Sequence, residues 1–115
     1  MSEQAAARPW LSAYPEGVPA DVEANQYKSL VELLETSFRD YGPRTSFSFM
    51  GKDVTYTQVD QASTAMGAYL QSLGLVKGDR VAVMMPNVPN YPVAVAGILR
   101  AGMVVVNVNP LYTAR

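Results

Sequence analysis

The sequence predicts an α/β fold, and three observations predict it. Two segments carry apolar residues at helical spacing together with their own start and stop signals. A pair of short β-favouring runs lies between them. Two unbroken apolar runs then flank a third helical segment, the pattern of a βαβ unit whose strands are buried on both faces. The expected order is an N-terminal arm, a helix, a β-hairpin, a helix and the βαβ unit.

The arm, residues 1–28, shows neither helical nor strand period, and Pro9, Pro15 and Pro19 interrupt it. Trp10, Leu11 and Tyr14 give it an apolar spot that needs a surface; docking on this molecule's own body is the first expectation, docking on a neighbouring subunit the second. Regular structure begins at Ser29, which with Glu32 forms a capping-box pattern. Leu30, Leu33, Leu34, Phe38 and Tyr41 share one helical face, Gly42 supplies a left-handed stop and Pro43 forbids continuation.

From Thr45 to Met50, Ser46 and Ser48 alternate with Phe47 and Phe49, and Val54 to Tyr56 forms a second β-favouring run. Gly51, Lys52 and Asp53 are the expected turn between them. Thr57 has an N-cap side chain with Asp60 in the first turn, and Val59, Ala62, Met66, Tyr69, Leu70 and Leu73 mark the inward face of a helix ending at Gly74. Leu75 falls where a Schellman stop wants an apolar contact. Lys77 to Arg80 make a polar turn into the apolar run Val81 to Met85. Tyr91 to Arg100 is a helix stopped by Gly102, and Met103 to Val108 is the second apolar run.

The 115 residues hold one domain's worth of chain, so no eight-unit barrel fits within them. Nine Lys+Arg against ten Asp+Glu leave a net charge of -1, which argues against nucleic acid. Cys and His are both absent, so this chain alone builds no disulfide, thiol nucleophile, cysteine zinc site or imidazole-based triad. Residues 81–115 hold only Arg100 and Arg115 as charged groups among 35 positions, 22 of them apolar, and so read as interior. Pro86, Pro89 and Pro92 with Asn87 and Asn90 argue against a membrane span there, and residues 1–8 carry no secretory signal, so the cytosol is the expected location.

A βαβ unit invites a nucleotide-site reading, and the phosphate motifs are missing. After the first apolar run stands Pro86-Asn87-Val88-Pro89-Asn90, with no glycine cradle and fewer backbone donors, and no GxxxxGK[ST] occurs. Carboxylates occupy helix ends, polar faces and turns. Asn87, Asn90, Asn107 and Asn109 gather near strand ends, where open sheets receive ligands; turn chemistry beside proline is the plainer reading.

Four runs carry a resemblance. Val54-Thr55-Tyr56-Thr57 precedes a helix. Gly78-Asp79-Arg80-Val81-Ala82-Val83-Met84-Met85-Pro86-Asn87, Gly97-Ile98-Leu99-Arg100-Ala101-Gly102 and Asn107-Val108-Asn109-Pro110-Leu111-Tyr112-Thr113 then follow in order. Together they resemble the beginning of the adenylate-forming acyl-CoA synthetases, and the Asn-Pro-Leu-Tyr-Thr run is most like the members that act on long-chain fatty acids. The arm fits too, through Pro9-Trp10 and Tyr14-Pro15-Glu16-Gly17.

The resemblance implies that residues 29–115 are an incomplete portion of a large AMP-binding N-terminal domain, cut on its C-terminal side. It implies a ligase that uses ATP, CoA and Mg2+ on a fatty acid, with peripheral membrane association as a further implication; a homodimer through the arm rests on the second reading of Trp10, Leu11 and Tyr14. The family's Ser/Thr/Gly-rich phosphate loop and its later acidic, arginine and lysine motifs are absent. No catalytic, cofactor-binding or metal residue is therefore assigned, and the piece alone is expected to be inactive. A family relative can place a basic residue just after the Asn-Pro turn against the coenzyme A nucleotide, which points to Arg115; Leu111 directly follows the proline and Arg115 stays unassigned. The alternative is a free-standing, non-catalytic α/β binding or regulatory module.

Overall fold

Side-chain caps start the first two long helices of the computed structural model, which describes residues 8–114. Helix α1 spans Leu30–Tyr41, and the hydroxyl of Ser29 accepts a hydrogen bond from the Glu32 amide at 3.1 Å. The Glu32 carboxylate reaches back one residue beyond the cap, accepting from the Lys28 amide at 2.6 Å. Phe38 is buried, whereas Leu30 and Tyr41, expected on the inward face, are 53% and 44% exposed. Gly42 does not stop the helix in the left-handed region, since its φ is -27°. Close approach is what requires glycine there: a Cβ would lie 2.9 Å from Thr57 Oγ1, and the Thr57 amide donates to the Gly42 carbonyl at 2.9 Å.

The hairpin pairs β1, Thr45–Phe49, with β2, Lys52–Thr55, in antiparallel register. Its turn is Met50–Gly51, so Lys52 and Asp53 belong to the strand rather than to the connection. Both turn residues have positive φ, 48° and 76°, the backbone that matches the right-handed twist of two-residue hairpins.

Helix α2, Tyr56–Ser72, is capped by Thr55, two residues before the expected Thr57. Thr55 Oγ1 accepts from the Gln58 amide at 3.2 Å, and Gln58 Oε1 accepts from the Thr55 amide at 2.9 Å, a reciprocal box in which β2 passes straight into the helix. The inward face is Val59, Ser63, Gly67 and Leu70. Tyr69 and Leu73, expected inside, are each 58% exposed, and Ala62 is exposed as well. Small residues win that face because α3 lies against it. Gly74 then takes φ 84°, and Leu75 packs on the core as a Schellman stop requires.

Strand β3, Arg80–Val83, helix α3, Asn90–Arg100, and strand β4, Val104–Asn107, form the βαβ unit. The strands are parallel, with Val81 opposite Val105 and Val83 opposite Asn107. Only one face of this sheet is covered. Val83 is buried with Leu70, Ile98 and Met103, and Val81 and Val105 pack against them. On the other face Met84, Val104 and Val106 are 62%, 44% and 38% exposed and Ala82 is exposed too. The expected burial on both faces is therefore half realised, because no described element lies over the second face.

The seam between α2 and α3 is built backbone to backbone. A Cβ on Gly97 would sit 2.8 Å from Met66 Cβ and Cγ and 3.0 Å from the Ser63 carbonyl, and one on Gly67 would sit 3.1 Å from the Gly97 carbonyl. At the end of the seam Arg100 joins all three helices. One terminal guanidinium nitrogen lies 2.7 Å from Asp60 Oδ1, 2.9 Å from Ser63 Oγ and 3.1 Å from the Asp60 carbonyl. Its Nε stands 3.3 Å from Glu35 Oε1, and the guanidinium carbon is 5.5 Å from the centre of the Phe38 ring. Asp60, expected as a dipole partner in the first turn of α2, thus serves α3 instead.

The arm follows different rules. A 3-10 helix, Pro9–Ala13, occupies part of it and makes no contact with the helices or strands among the described residues. Trp10 is 52% and Tyr14 40% exposed, so docking of Trp10, Leu11 and Tyr14 on the molecule's own body is not what the structure shows. Arg8 organises the arm locally, donating to the Ala20 carbonyl at 2.7 Å, pairing with Asp21 at 2.9 Å and lying 6.0 Å from the Trp10 ring centre. The indole has a cation rather than an apolar wall. The radius of gyration, 18.9 Å, exceeds the ~13 Å of a compact chain of this length, as an extended arm requires.

Four outcomes are expected in denaturant titrations. Gly97→Ala should cost about 1–3 kcal/mol, since neither the Met66 stem nor the Ser63 backbone can move aside freely. Arg100→Met should cost about 2 kcal/mol, leaving Glu35 and Asp60 without their shared cation, and Arg100→Lys should fall in between. Met50→Gly should stabilise the hairpin by about 1 kcal/mol. Val83→Asp should abolish folding, whereas Val106→Thr should fold and bind less of a hydrophobic dye, because only the first side chain is buried.

Candidate functional site

Loops at the carboxyl ends of parallel strands are where open α/β sheets hold ligands, and β3 and β4 direct two such loops side by side. The Val108 amide donates to the Val83 carbonyl at 2.9 Å, which keeps the two exits together. After β3, Pro86 and Pro89 shape the chain, the Val88 amide donates to the Pro86 carbonyl and the Tyr91 amide to the Val88 carbonyl, each at 2.9 Å. After β4, Asn109 Oδ1 accepts from the Leu111 amide at 2.9 Å, an Asx turn that brings Pro110 and Leu111 round.

Between these loops lies a crevice of about 310 Å³ lined by Met85, Pro86, Asn87, Asn109, Pro110 and Leu111. A second hollow of about 240 Å³ separates Phe47 and Phe49 of the hairpin from the Asn87–Pro92 stretch, with Asn87 on the rim of both. The four asparagines singled out by sequence thus have different fates. Asn87 and Asn109 meet at the crevice, with Asn109 also making its turn. Asn107 accepts a hydrogen bond from the Tyr91 hydroxyl at 2.6 Å, a tie between the end of β4 and the first turn of α3. Asn90 is an exposed first residue of α3. Arg115 lies outside the described residues.

The chemistry available here is neutral. No Lys, Arg, Asp or Glu lines either hollow. Two prolines remove amide donors from the β3–α3 loop, and the amides of Val88 and Tyr91 are already used within it. Phosphate groups need a cradle of free amides or a cation, so the lining does not fit ATP phosphates. Among the described residues no cluster of three or more acidic, His or Cys side chains could hold a metal ion. No helix among them is long and apolar enough to cross a membrane.

Sequence reasoning passed over Arg100, although its signal was visible: it is the one charged residue between Arg80 and Arg115 in an apolar stretch. A polar hollow of about 320 Å³ lies beside it, lined also by Glu35, Ser63, Thr64 and Gln71. Arg100 is already engaged by Asp60, Ser63 and Glu35, so its role is to join helices.

Comparison with known proteins places this geometry. A model of AMP-binding enzymes matches residues 34–115. The long-chain-fatty-acid–CoA ligase of Salmonella typhimurium is 55% identical over 107 residues, 92% of this chain and 19% of that protein. The protein of the same name from Bacillus subtilis is 41% identical over 106 residues with the same shares. The chain therefore spans about one fifth (19%) of the length of these relatives. Among solved structures, the N-terminal subdomain of Klebsiella oxytoca NpsA in complex with anthranilyl-AMSN has a TM-score of 0.74 at 26% identity, over 78% of this chain and 24% of that one. The anthranilate CoA ligase AuaEII shares the fold, with a TM-score of 0.70 at 23% identity over 75% of this chain and 17% of that one. The parallel β3–α3–β4 unit and the family match over residues 34–115 agree: the chain belongs to the AMP-binding enzyme family.

Proposed function

We propose that this chain is the N-terminal part of a ligase that converts a long-chain fatty acid, ATP and coenzyme A into acyl-CoA, AMP and pyrophosphate, with Mg2+ on the phosphates. Residues 1–28 form its arm and residues 29–115 the first part of its AMP-binding domain. The observation that carries this reading is 55% identity, over 92% of the chain, to a Salmonella protein named for that reaction. The neutral crevice and the open face of the β3–β4 sheet support a scaffold role for this segment. Groups that grip phosphates and stabilise developing charge belong to the rest of such an enzyme.

Two finer points accompany the reading. An insoluble acyl substrate favours work at the cytoplasmic membrane surface, by peripheral contact. The exposed Trp10 and Tyr14 suit the arm to a contact with a second subunit.

The test begins with the nucleotide sequence after the codon for Arg115. An open frame running into a Ser/Thr/Gly-rich loop with a lysine is expected, and an immediate stop codon overturns the proposal. Protein from that frame should form a thioester from palmitate only when ATP and coenzyme A are both supplied. Residues 1–115 alone should show no saturable heat with ATP. In the full-length protein Trp10→Ala should weaken self-association in sedimentation, and an unchanged dimer would remove the arm from the subunit contact.

A further inference from the structure

We draw no further inference here: the strongest candidate, the uncharged crevice between the β3–α3 loop and the turn after β4 with the open apolar sheet face of Ala82, Met84, Val104 and Val106, carries nothing because nothing in the structure shows what covers it.

Discussion

The close approach of α2 to α3 is the constraint on which the remaining architecture depends. Two helices can touch along their backbones only where side chains are small, and Ser63, Gly67, Gly97 and Ala101 supply that strip. Once the helices are this near, Leu70 of α2 and Ile98 of α3 meet in one core with Val83 and Met103, and the parallel strands have a surface to lie on. On the other side of α3, Ala96 meets Val59 and Phe38, so α1 is recruited through a second cluster. A larger residue at Gly97 would push apart the two surfaces that define both clusters.

Arg100 completes the seam by electrostatics. Its side chain is 19% exposed, a position where an unpaired cation would be costly, and carboxylates from α1 and α2 converge on it. Ser63, fully buried, would likewise be costly without partners; it donates to the Asp60 carbonyl and lies within hydrogen-bond distance of the guanidinium. Glu35 and Asp60 are each about half exposed, so the gain from pairing is moderate, and geometry is the larger effect. Three helices are held at one angle by one planar group that can address several acceptors at once.

This rigid corner stands at one end of α3, and the neutral crevice lies at the other. The helix, its tie from Tyr91 to Asn107 and the bond from Val108 to Val83 fix the loops beyond β3 and β4 without placing a charge in them. The crevice they frame has neutral walls and no charged side chain in its lining. That division agrees with a segment that spans 19% of the length of its ligase relatives.

Much of this was legible in the residues. The three helices, the hairpin and the two strands follow from periodicity, cap side chains and glycine or proline stops, all of which act over a few residues. The family resemblance was legible for the same reason, since Gly78 to Asn87 and Asn107 to Thr113 are ordered local strings. Tertiary structure alone decided what depends on distant partners. It turned α2 to present Ser63 and Gly67 because α3 came close, whereas the Thr55–Gln58 cap is a local Thr-x-x-Gln box. It drew Asp60 away to Arg100, 40 residues on, and left one face of an apolar sheet uncovered. Apolar runs state that a strand can be buried on both sides; whether it is depends on which surfaces are there to meet it.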